Sequence, residues 1–269
     1  MSATAPSRRV ARPDEPPPSR FGVAMGVLFV VMTALSVVST GFSLDGIIED
    51  LGRRNDSISG LLNIDLSVIT STRTLTAFVE TLQMAVVGTI IGGAAALPLA
   101  LASTEVGART TTVRWLVRAF NNVVRAIPDI LWALLFVAMV GIGVLPGLLA
   151  LVFFSIAVTT KLTSDVLDGI DLGPVEAADA TGAAHVAKLR TAVVPQILPA
   201  YSSFLLYNFE LNLRASAVLG LVGAGGIGTR IEFYRSAGRW PEVWGIIVLF
   251  FAITFVVERL SIMFRRRLV

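Results

Sequence analysis

The sequence predicts an all-α membrane protein with six transmembrane helices, and three observations carry that class. Hydrophobic residues fill 54% of the 269 positions against 15% charged. Mean hydropathy is +0.76, well above ordinary globular usage. Six apolar stretches, at about 22–42, 75–103, 120–141, 147–167, 194–216 and 241–264, are each long enough to cross a hydrocarbon core. Each must be helical, because in lipid every backbone N–H and C=O has to be paired within its own segment.

Composition also excludes. The chain has no cysteine and a single histidine, His185, so disulfide frameworks, thiolate chemistry and histidine-rich metal sites fall away. The net charge of +3 does not point to nucleic acid, since the basic residues are scattered between apolar runs rather than gathered on one stripe.

The first 20 residues, MSATAPSRRVARPDEPPPSR, combine Pro, Ser and Arg with almost nothing to bury and read as a disordered cytoplasmic tail. Residues 21–74 hold the first span and an extracytoplasmic segment. That span is too long for a signal peptide and lacks a clear cleavage site, so it reads as a retained anchor. Residues 75–269 form the core. Within the second span, Gly88, Gly92, Gly93 and Ala94 to Ala96 make a small-residue face suited to close helix packing. The stretch from Gly107 to Ile127 sets Arg114, Arg118 and Arg125 beside Trp115, Leu116, Val117 and Phe120, which suits an interfacial helix leading into the bilayer.

Flanking charge sets the orientation. With the N-terminus inside, the inner segments collect Arg8, Arg9, Arg12, Arg20, Arg109, Arg114, Arg118, Lys188, Arg190, Arg265, Arg266 and Arg267. The outer segments hold Arg53, Arg54, Arg73, Arg230, Arg235 and Arg239, the first three offset by neighbouring acids. Six spans then put both termini in the cytoplasm.

Residues 169–195 form a polar cytoplasmic loop between the fourth and fifth spans. Pro174 suits the first helical position, and Glu176 in the first turn complements the positive helix end. Gly182 suits a left-handed C-terminal cap. A second helix from about Ala183 should run until Pro195 disturbs it. The product is helix, sharp turn, helix.

Glu176-Ala177-Ala178, three residues, Gly182, nine residues, then Ala192, Val194 and Pro195 resembles the EAA loop of ABC-importer permeases. Ala192 and Val194 stand where that pattern has Ile and Leu. The resemblance implies a type I ABC-importer permease fold in the cell (inner) membrane. It implies that Glu176, Ala177, Ala178, Gly182, His185 and Pro195 lie on a surface that receives motion from a cytoplasmic ATPase. ATP and Mg would be bound by that partner, leaving no cofactor on this chain. Implied partners are a second copy of the chain, two ATPase subunits, an extracytoplasmic substrate-binding protein and membrane lipid.

LLYNFELNLRASAVLGLVGAGGIG (205–228), with VRAIPDILWALLFV, TLQMAVVGTIIGG and VVPQILP, is similar to the phosphonate-importer permeases, whose usual Asp in the last helix stands here as Glu258. The likeness implies transport of phosphonate or a related phosphorus oxyanion, such as phosphate or phosphite. Glu210 and Arg214 are four residues apart with the acid first, the favourable order for a helix ion pair. Such a charge pair inside a span is either functional or a pin between helices. Arg214, with Asn208, Asn212 and Ser216 nearby, offers a polar lining to an oxyanion, which the planar guanidinium fork suits.

Gly223, Gly225 and Gly228 fit a dinucleotide fingerprint in spacing alone, because no strand precedes them and no βαβ unit surrounds them. With Gly226 they read as a helix break, and the resemblance implies a turn near a gate. His185 has no ligand companions and reads as solvated or partner-facing. Lys161, Asp165, Asp168 and Asp171 read as a hydrated helix terminus rather than paired catalytic carboxylates. The competing readings are a permease for an amino acid or osmolyte and an ion-coupled secondary transporter. The latter requires inverted repeats and intramembrane acidic relays that the sequence does not display. No catalytic cluster of a membrane enzyme is visible either.

Overall fold

A computed structural model describes residues 19–43, 45, 46, 48, 49 and 55–268. Most of the expected N-terminal tail, residues 1–18, lies outside the described residues. The chain divides into two units, one ending at Asn55 and the other beginning at Asp56. Every regular element among the described residues is helical.

The first unit contributes α1 (Arg20–Ser39), capped by Ser19, whose hydroxyl accepts the Gly22 N–H at 3.0 Å. Its 20 residues suffice for one span.

The second unit carries α2 (Asn55–Leu62), a 3₁₀ turn at Leu66–Thr70, α3 (Thr72–Ala102), α4 (Thr111–Ala126), α5 (Asp129–Val140), α6 (Val144–Leu167), α7 (Gly173–Ala180), α8 (His185–Lys188), a π turn at Leu189–Val193, α9 (Val194–Gly220), α10 (Ile227–Ser236) and α11 (Trp240–Leu268). By length and composition α1, α3, α6 and α11 are four candidate spans. The expected small-residue face of α3 meets α6 and α9. A Cβ on Gly92 would stand 2.2 Å from the Ser155 Cβ, and one on Gly93 would stand 2.4 Å from a Leu205 methyl. Only glycine allows these axes to approach so closely.

The expected third span, 120–141, is not one straight helix. α4 and α5 meet at 90°, because Pro128 drives Ile127 out of the helical region to φ −94°, ψ 122°. α4 matches the amphipathic segment expected between Gly107 and Ile127. The 12 residues of α5 reach only ~18 Å. α9 has 27 residues, ~40 Å of helix, but it is not among the helices apolar enough to span on composition. Its polar and charged residues, described below, account for that.

Three buried clusters hold the bundle. Val68, Phe78, Ile227, Tyr234, Val243 and Ile246 pack at one end. Met84, Ala133, Ala150, Leu151, Leu219 and Ala224 fill the middle. Ala100, Leu167, Val175, Ala192, Val193 and Ile197 pack at the end that carries α7 and α8.

Candidate functional site

The loop from Asp171 to Val194 is a helix, a glycine turn and a second helix. Asp171 opens it: its carboxylate accepts the Gly173 N–H at 2.9 Å, and Pro174 follows at the second helical position. α7 then closes on Gly182 at φ +70°. The Gly182 N–H donates to the Asp179 carbonyl at 3.0 Å and the Ala183 N–H to the Ala178 carbonyl at 3.1 Å. Those two bonds are the Schellman closure, which requires the left-handed conformation that glycine adopts without strain.

The second helix departs from expectation at Pro195. It starts at His185 and runs through the π turn directly into α9 without ending at the proline. Pro195 falls in the first turn of α9, and the widened turn before it accommodates the missing N–H.

The loop is braced on one side only. Val175, Ala192 and Val193 are buried in the cluster with Leu167 and Ile197. Lys188 pairs with Asp179 at 2.9 Å. The His185 ring nitrogen Nε2 lies 3.0 Å from the Gly107 carbonyl, so this histidine is half-buried and ties the loop to its own chain, not a freely solvated group. Gln196 was not anticipated: its amide accepts the Asp171 N–H at 3.1 Å and donates to the carbonyls of Asp171 and Ala192 at 3.1 and 2.6 Å. A lone polar residue inside VPQILP was its only signal. Glu176, Ala177 and Gly182 remain exposed on the opposite side, and Ala178 is partly covered.

Lys161 pairs with Asp165, and Asp168 lies 3.4 Å from Arg118. With Ser103, Asn121 and Ser164 they line a polar recess of about 230 Å³.

The polar residues of α9 divide into two sets. Asn208, Asn212 and Ser216 are fully buried. The Asn212 Nδ2 donates to the Thr89 and Ser155 hydroxyls, each at 2.8 Å, joining α9 to α3 and α6. The Ser216 hydroxyl turns back to the Leu213 carbonyl at 2.8 Å. Both amide atoms of Asn208 are buried without a hydrogen-bond partner. These three residues therefore do not share an exposed face with Arg214.

The expected Glu210–Arg214 pair does not form. Glu210 accepts from Arg265, and Arg214 donates to Glu258, both at 2.7 Å. The reason lies in α11, which presents opposite charges two turns apart at Glu258 and Arg265, so each residue of α9 finds its partner across the interface. Arg265, one of the basic residues of the inner segments, thus also holds α11 to α9.

After α9 the backbone breaks at Gly223, Gly225 and Gly226, with φ of +87°, +81° and +70°. The Gly143 N–H donates to the Gly223 carbonyl and the Ile227 N–H to the Thr81 hydroxyl, at 3.0 and 2.7 Å. Gly228 crosses Gly220 so closely that a Cβ on it would lie 2.0 Å from the Ala217 carbonyl oxygen. No group of three or more metal-ligating side chains occurs among the described residues.

Residues 88–269 match the family model for the binding-protein-dependent transport system inner membrane component. A phosphate-import permease protein PhnE of Mycolicibacterium smegmatis is 42% identical over 192 residues, 70% of this chain and 35% of that protein. This chain thus spans about a third of that relative. A phosphite transport system permease protein PtxC of Stutzerimonas stutzeri is 35% identical over 188 residues, 70% of this chain and 68% of that protein. The fold is that of a chain in the MetNI methionine ABC transporter in an inward-facing conformation, with a TM-score of 0.64 at 24% identity, covering 74% of this chain and 97% of that one. The chain belongs to the family of binding-protein-dependent transport system inner membrane components and is a multi-pass membrane subunit of the ABC-importer permease class.

Proposed function

We propose that this chain forms the translocation pathway of an ATP-driven importer for a phosphorus oxyanion, and that the loop from Gly173 to Pro195 couples it to a cytoplasmic ATPase. The observation that carries the coupling is the loop's one-sided bracing. Val175, Gln196 and His185 hold it to the rest of the chain and the Lys188–Asp179 pair ties its two helices together, while Glu176, Ala177 and Gly182 face outward. A rigid exposed helix end moves the bundle when it is pushed, whereas a loose one absorbs the push.

Six spans follow if α4 with α5 counts as one broken span and α9 as another, its charges covered by protein. Both termini are then cytoplasmic, in keeping with the basic inner segments. Two copies of the chain, two ATPase subunits that bind ATP and Mg, and an extracytoplasmic binding protein complete the assembly. The substrate class rests on the relatives named for phosphate and phosphite and on Arg214, whose half-exposed guanidinium suits a phosphorus oxyanion.

The test is uptake of phosphate, phosphite and methylphosphonate by the chain reconstituted with its ATPase and binding protein. Glu176→Ala and Gly182→Val should preserve assembly and ATP hydrolysis but lower uptake per ATP. Ion-driven uptake by the chain alone, without ATP, would overturn the reading.

A further inference from the structure

Two ion pairs tie α9 to α11, and they differ in exposure. In the first, the Glu210 side chain is 6% exposed and that of Arg265 25%. In the second, Arg214 is 49% exposed and Glu258 42%. Glu258 lies eighteen residues into α11, ~27 Å along the helix, so the second pair sits toward the inner end of the apolar run, still before the basic residues from Arg265 onward. Hydrocarbon does not cover an open ion pair there; such groups face protein or a water-filled cavity. On the reading of Arg214 given above, the water that reaches this half-exposed pair is that of the pathway.

An arginine in a wet passage with a carboxylate at 2.7 Å already binds an oxyanion, namely a side chain. Only one hydrogen bond joins the two, from Arg214 Nη2 to Glu258 Oε2, so the remaining guanidinium N–H groups are uncommitted to it. Being half exposed, Glu258 can leave Arg214 and become hydrated, a route the buried Glu210 does not have.

We propose that Glu258 is an exchangeable internal anion: it occupies Arg214 while the pathway is empty and is displaced by the phosphorus oxyanion during passage. This rests on the reading of Arg214 given above. The arrangement solves a problem of transport. A bare arginine would hold a multivalent anion longer, while a resident carboxylate lowers the apparent affinity and returns to push the substrate on. A competitor that holds Arg214 nine-tenths of the time weakens binding about tenfold.

The test uses the permease–ATPase complex in nanodiscs without its binding protein, with equilibrium binding of radiolabelled inorganic phosphate. Glu258→Gln should bind phosphate about tenfold more tightly than wild type and turn over more slowly once binding protein is added. Glu258→Asp should shift binding in the same direction by less. Arg214→Gln, alone or combined with Glu258→Gln, should lose binding. A pair that only fastens the helices predicts the same loss for both single variants. Phosphate binding to Glu258→Gln and Glu258→Asp that is no tighter than wild type overturns the proposal, including the case where neither variant assembles with the ATPase. Wild-type uptake of phosphate, phosphite or methylphosphonate is measured in parallel. Its absence overturns the substrate reading itself, whereas normal uptake with no gain in binding overturns the role of Glu258 alone.

Discussion

Asn212 on α9 donates one amide hydrogen to Thr89 on α3 and the other to Ser155 on α6, each at 2.8 Å, so a single side chain fastens three helices at the centre of the bundle. Replacing it with leucine removes both bonds. The Thr89 hydroxyl keeps its own bond to the Ala85 carbonyl, which limits the loss. Polar contacts between membrane helices are individually modest, so Asn212→Leu should destabilise by about 1–2 kcal/mol. Denaturant titration in mixed micelles measures it, and Thr89→Val should cost about half as much.

The glycine turn of the coupling loop gives a local effect with a different signature. Gly182 sits at φ +70° with nothing within 4 Å of the place its Cβ would occupy. Gly182→Ala therefore meets no clash and suffers only the left-handed backbone penalty of about 1–2 kcal/mol. Hydrogen exchange should accelerate at the amides of Gly182 and Ala183, whose bonds close the turn, while the melting temperature of the bundle stays unchanged. Exchange that is accelerated throughout α9 would instead mean that the turn supports the bundle.

Four of the six expected spans and this loop were legible because their signals are local. A run of apolar residues, a proline at a helix start and a glycine at a helix end each act within a few residues, and α7 to Gly182 formed as the spacing predicts. What escaped were the choices made across helices. Glu210 and Arg214 look like partners on one helix because their spacing is right, yet α11 offers each a better one at a sequence distance of 55 and 44 residues. Gln196 escaped for the same reason, since its partner Asp171 lies 25 residues away. The bend at Pro128 is the exception: its cause is local, but the apolar composition on both sides concealed it.

The two ion pairs between α9 and α11 should respond unequally to loss of one member. Glu210→Gln leaves Arg265 without its carboxylate in a mostly buried place and should cost about 3 kcal/mol, the lower end for a broken buried pair because Arg265 keeps some exposure. Arg214→Gln breaks an open pair whose members both rehydrate, so stability should change by only about 1 kcal/mol. Chemical denaturation of the two variants side by side checks the order. Equal losses would place Arg214 and Glu258 under cover and remove the argument that they face the pathway.

The glycine break after α9 allows steric demand to be separated from backbone freedom. Gly228 has an ordinary negative-φ backbone, since it is absent from the positive-φ glycines, yet its Cβ would stand 2.0 Å from the Ala217 oxygen and 2.7 Å from the Gly220 Cα. Both obstacles are backbone, so no side chain can swing aside. Gly141 is the converse, with φ +90° and open space around it. Gly228→Ala should therefore cost about 3 kcal/mol or more, the top of the range for overpacking, and reduce the folded yield. Gly141→Ala should cost about 1–2 kcal/mol from conformation alone. The effects also separate by site: a second substitution, Gly220→Ala, should make Gly228→Ala worse because the two share one crossing, whereas Gly141→Ala should add to it independently. If Gly228→Ala is as mild as Gly141→Ala, α9 and α10 can move apart at no great cost, and the crossing at Gly220 is not a tight fulcrum for movement of the turn.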